Sequence, residues 1–236
     1  MQIRLTLLCL LPFLVFAQKP SAGLFTFSGG YANYDVSSWS VFMPSPALEL
    51  INDGFSYGFG FDAVKGRTVF GISTQNYIQP KYAVDTFAIQ FTNNDVKLDL
   101  GYAMVLRDRF LMAPVLGLGG GSDHITIFNS EPATAATVAA DPGREINLWQ
   151  GKACADISLQ MHWLLGQPAS GEDNEGFSLG LQMGYAAHYA IGNWRYAESS
   201  ITDGPDGFRQ MYYARLSLGI MSTDLGRGNA PDENMQ

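Results

Sequence analysis

The side chains best suited to metal or nucleophilic chemistry are three histidines, His124, His162 and His188, and two cysteines, Cys9 and Cys154. Their spacing favours neither chemistry. There is no HExxH or CxxC motif, and no carboxylate stands at a ligating interval from a histidine. Segment 119–124, "GGGSDH", sets Ser122 and Asp123 beside His124, the residue types of a hydrolase triad. Neighbours on a strand point to opposite faces, so these three cannot act together. Cys154 reads as a small filler. No catalytic residue, cofactor or metal ligand is expected. A second chemistry is ionic. Lys97, Asp99, Lys152, Asp156 and Arg215 sit singly among small residues, with Gln182 nearby in the same kind of pattern. Charges placed inside a fold need partners, which predicts an internal network in which Arg215 meets Asp156 directly or through Gln182.

The elements that would carry these residues alternate with a period of two. In 177–189, "FSLGLQMGYAAHY", Leu179, Leu181 and Met183 share one face, and Gln182 and Gly184 the other. Leu98 and Leu100 repeat the pattern in 95–107, and Leu216 and Leu218 in 209–222. Similar segments fall at 22–34, 54–63, 67–77, 109–122 and 148–164, giving eight strands. Pro114 forfeits a ladder hydrogen bond and predicts a bulge. Short links alternate with four long connections, 35–53, 78–94, 123–147 and 191–208, and 83–93 reads as a hairpin extension. That order predicts an all-β, eight-stranded antiparallel up-and-down transmembrane β-barrel, with short periplasmic turns and four long extracellular loops.

The faces decide between water and lipid. The less apolar faces are mostly Gly, Ala and Ser, suited to a narrow interior and poor for solubility. The large apolar faces, including the seven residues Leu179, Leu181, Met183, Leu98, Leu100, Leu216 and Leu218, are expected to meet lipid. Tyr31, Tyr34, Tyr77, Trp149, Trp163, Tyr189 and Tyr212 lie toward strand ends, as interfacial aromatics do. Charged residues make up 15% of the chain, below the roughly 25% of soluble domains. The net charge of −8 argues against nucleic acid. Residues 1–17 have a basic start and an apolar run, the pattern of a cleavable signal peptide, ahead of a barrel over 18–222 and a polar tail over 223–236.

On this architecture, together with the Gln following the cleavage site, the chain resembles the small eight-stranded outer-membrane barrels of the OmpA/OmpX-like type, as found in Bacteroidetes. The resemblance implies a monomer in the outer membrane of a Gram-negative bacterium. Outer-membrane lipid would be its main partner. The connections are acidic and aromatic (Asp35, Asp53, Asp123, Glu145, Glu198, Trp39, Tyr82, Trp194) and suit a protein or glycan partner. A non-catalytic envelope role is expected. The alternatives are a lipid A acyltransferase or deacylase, and a soluble periplasmic barrel binding a small apolar ligand.

Overall fold

The computed structural model describes residues 22–36, 52–84, 87–107, 109–129, 145–165, 174–202, 204 and 207–223. The expected signal peptide, most of the polar tail, and the loop residues Trp39, Glu49, Glu131, Asp141, Asp203 and Asp206 lie outside them.

Among the described residues all regular structure is antiparallel strand. In chain order the strands are β1 (Ala22–Tyr34), β2 (Asp53–Lys65), β3 (Thr68–Ile78), β4 (Tyr82–Val84), β5 (Phe87–Tyr102) and β6 (Val105–Arg107). There follow β7 (Phe110–Asn129), β8 (Glu145–Leu165), β9 (Asn174–Tyr196), β10 (Ser199–Ile201) and β11 (Phe208–Thr223). They form one sheet, ordered β4-β5-β3-β2-β1-β11-β9-β8-β7-β6, with β10 paired to β9. β5 also pairs with β7, which bends the sheet into a ring. The seam between first and last strands runs from Ala22 opposite Thr223 to Tyr34 opposite Met211.

This corrects the expected eight-stranded transmembrane barrel. Among the described residues the sheet has eleven strands in a ring-like arrangement, and three short ones interrupt the simple up-and-down order. The physical reason is that much of the supposed loop sequence is itself alternating. β5 starts at Phe87 instead of residue 95, β7 runs on to Asn129, and β9 continues to Tyr196. β4 and β10 occupy parts of two connections expected to be irregular. The hairpin proposed for 83–93 is strand, built from β4 against the start of β5.

The bulge predicted at Pro114 falls on the facing strand instead. Gly101 opposes Val115 and Val105 opposes Met112, so one extra residue on the β5–β6 side divides that strand. Against β8, Pro114 keeps regular register opposite Leu159. A residue without an N–H is accommodated where its neighbour has already left the ladder. The β2–β3 turn is made by Gly66 and Arg67, with Gly66 at φ 59°. The end carrying it is the turn end, and the opposite one the loop end.

The inner wall packs two apolar clusters, one at each end. Leu24, Val64, Val69, Leu111, Val115 and Met221 fill the turn end. Tyr34, Tyr77, Phe91, Ile125, Met211 and Trp194 fill the loop end. Tyr34 and Tyr77, expected at an outer aromatic girdle, are therefore interior; Tyr31, Trp149, Trp163, Tyr189 and Tyr212 are on the outside.

Candidate functional site

Between the two apolar clusters the interior is charged. The layer nearer the loop end centres on Lys152 of β8. Its Nζ lies 3.0 Å from Asp95 Oδ1 and 2.9 Å from Asp123 Oδ1. Arg209 Nη1 donates to Asp123 Oδ2 at 2.6 Å, and its Nη2 donates to Gln150 Oε1 at 2.6 Å. Asn93 Nδ2 donates to Asp123 at 2.9 Å. His188 Nε2 bonds Asp95 Oδ2 at 2.9 Å. Each of these side chains is at most 3% exposed. Strand alternation explains the gathering, because β5, β7, β8, β9 and β11 each aim one or two such residues inward at this level.

The next layer toward the turn end is built from Lys97, Asp156, Tyr213 and Arg215. Lys97 Nζ lies 3.2 Å from Asp156 Oδ2 and donates to Gln75 Oε1 at 2.8 Å. Tyr213 donates its hydroxyl proton to Asp156 Oδ2 at 2.8 Å. Arg215 lies over the Tyr213 ring, 4.6 Å from its centroid, and Nη2 donates to Gln182 Oε1 at 2.7 Å. Gln182 in turn donates to Ser158 Oγ at 3.3 Å. Arg215 thus reaches Gln182, while Asp156 takes Lys97. Asp99 is buried in the same region. Below lies a polar cavity of about 20 Å³ lined by Asp62, His162, Gln182, Arg215 and Ser217. It is the size of one water, and buried polar atoms around it, such as His162 Nδ1 and Ser217 Oγ, have no protein partner.

Asp123 and Trp194 belong, by sequence, to two of the long connections. Asp123 is wholly buried among cations, and Trp194 is buried in the apolar cluster above it. Asp95, His188, Arg209, Gln150 and Tyr213 carry no expected role in the internal network. A signal for the first four was available, since the alternation of the flanking strands continues through them. His124, expected in a loop, lies on the outer face of β7, where Ser122 Oγ sits 2.8 Å from its Nε2. Asp123, between them in sequence, points inward. Among the described residues no carboxylate hydrogen-bonds this imidazole, so the pair lacks the oriented base of a triad.

The outer wall changes chemistry along the strands. On β5 the outward residues are Gln90, Thr92 and Asn94, then Val96, Leu98, Leu100 and Tyr102. The inward ones are Ile89 and Phe91, then Asn93, Asp95, Lys97 and Asp99. Both faces therefore exchange character near Asn94. β7 does the same: Leu116 and Leu118 face out below Ser122 and Thr126, while Ile125 and Ile127 face in above Asp123. On β8, Glu145 and Asn147 face out above Ile157 and Trp163. In the apolar zone Leu98, Leu100, Leu216 and Leu218 are each more than half exposed; Leu179 and Met183 are also exposed, and Leu181 partly so.

No protein-family profile matches the chain, and no curated protein does. Among solved structures, the chain is similar to Ail, the attachment invasion locus protein of Yersinia pestis, with TM-score 0.48 and 8% identity over 86% of this chain and 99% of that one. Neisserial surface protein A has TM-score 0.42 and 12% identity, over 86% of this chain and 98% of that one. The outer membrane protease OmpT of Escherichia coli has TM-score 0.34 and 6% identity, over 86% and 94%. At such scores these likenesses carry no argument about activity.

Proposed function

We propose that the protein is a non-catalytic component of the Gram-negative outer membrane, with its apolar zone in lipid and its loop end in the water outside. The exchange of face chemistry along β5, β7 and β8 carries this reading. Below Asn94, down to the apolar cluster at the turn end, the wall is apolar outside and charged inside, the reverse of a soluble shell. Above it the wall is polar outside and apolar inside, as in a soluble sheet. A single boundary between lipid and water accounts for both. A closed sheet is also the one strand arrangement tolerated in lipid, because it leaves no row of unpaired backbone groups.

The role that follows is structural or one of display. Among the described residues the interior is filled by two charged layers between apolar clusters, and the polar cavity beside Arg215, of about 20 Å³, is far smaller than a small apolar ligand needs. The connections at the loop end, with Asp35, Glu145 and Glu198 at their bases, are where a protein or glycan partner would be met. The test is photolabelling from the lipid phase in native membranes, with carbonate extraction alongside. Leu98 and Leu218 should label and Thr126 should not, and the chain should stay with the membrane. Release by carbonate, or labelling of Thr126 equal to Leu98, refutes the placement. Lipid A from a deletion strain should be unchanged in mass; a lost or gained acyl chain would establish an enzyme.

A further inference from the structure

One group in the charged interior has donor chemistry that ion pairing does not use. Cys154 and His188 are directly opposed across β8 and β9, both facing inward, and Asp95 reaches them from β5. One ligand atom from each of the three lies within 4.8 Å of the others, and all three residues are buried. His188 Nε2 engages Asp95 Oδ2 at 2.9 Å, while Nδ1 is out of water with no hydrogen-bond partner. With the Nε2 proton donated to the carboxylate, Nδ1 presents a lone pair. A carboxylate fixing the far nitrogen of an imidazole is the usual support of a metal-ligating histidine.

We propose that Cys154 Sγ and His188 Nδ1 bind monovalent copper, with Asp95 as the positioning residue. Two considerations select that ion. A thiolate is a soft ligand and favours Cu(I), and imidazole suits copper as well. Charge is the second. Asp95 and Asp123 are already balanced by Lys152 and Arg209. Binding releases the thiol proton to solvent as the sulfur–copper bond forms, so a monovalent ion leaves the layer neutral. A divalent ion would leave one uncompensated positive charge in a dry interior, which is costly.

The site is closed by the aromatic cluster above it, so the ion enters as the chain folds. The test refolds the full chain without oxygen, with Cu(I) or with Zn(II), and then challenges it with a chelator. Wild type should retain one copper per chain and no zinc. Cys154→Ala, checked for folding by its mobility on unheated gels, should retain about one-tenth or less. The copper X-ray absorption spectrum of wild type should show one sulfur and one imidazole nitrogen, a readout that stands even where the variant does not fold. The proposal is overturned by no retained copper, by equal retention in folded Cys154→Ala, by zinc held in preference, or by a spectrum with sulfur but no nitrogen, as thioethers alone would give.

Discussion

Lys152→Met isolates the energetics of the upper charged layer. Methionine keeps most of the lysine volume and removes an ammonium that touches two carboxylates, at 3.0 and 2.9 Å. At an effective dielectric of about 20, each contact is worth about 5.5 kcal/mol, or about 11 kcal/mol together. Against this stands the desolvation of the lysine itself, several kcal/mol, which the substitution removes. Asp123 keeps Arg209 at 2.6 Å, and Asp95 keeps His188 at 2.9 Å, so neither carboxylate is stranded. The net cost should fall near about 3–5 kcal/mol, the range for breaking a buried pair. Urea unfolding in lipid vesicles, followed by tryptophan fluorescence, measures it. With a slope of about 3 kcal/mol per molar, the midpoint should drop by about 1–1.7 M. Lys152→Met with Asp95→Asn should cost less than the two single changes added, because one contact is counted twice. A midpoint shift below about 0.3 M, or strict additivity, would show that the layer is hydrated and the pairs contribute little.

Three further outcomes follow from the two faces. Leu181→Arg places a charge on the outer wall of β9 and should destabilise the vesicle-inserted protein by about 2–4 kcal/mol in the same urea titration; no change would put Leu181 outside lipid. Gly184→Leu should abolish the folded band on unheated gels. A Cβ there runs into the Tyr213 ring and comes 2.9 Å from Ser158 Cβ, whereas Gly23→Leu, with nothing within 4 Å of its Cβ, should fold normally. Tyr213→Phe removes the hydroxyl donor to Asp156 and should cost about 1.5–3 kcal/mol, read as a lowered urea midpoint; an unchanged midpoint would mean that water replaces it.

The two faces of each strand were legible because period two needs only neighbouring residues. Leu179, Leu181, Met183 and Gln182 fall into place from thirteen consecutive letters. Strand ends were less legible. Alternation persists through residues 123–129 and 87–95, but the apolar residues change face there. Where the apolar residues alone mark the strand, it ends at that change and the remainder has the pattern of a loop. Asp123 and Trp194 were misplaced for that reason. The partners across the interior could not be read at all. Asp95 and His188 are 93 positions apart, and Arg209 and Asp123 are 86 apart. Which inward residues share a level depends on the stagger of every strand between them, and no local pattern encodes that sum.

The seam between β1 and β11 imposes an order in time. The strand nearest the start of the sheet waits for the strand nearest its end, so the ring closes only after all the intervening chain is available. Until then both seam edges carry unsatisfied backbone groups, and Lys97, Lys152, Asp95 and Asp156 line an open trough. Under the placement in lipid proposed above, each of these is penalised, which favours closure in a single step. Contacts this distant in sequence also make assembly slow compared with that of local helical folds.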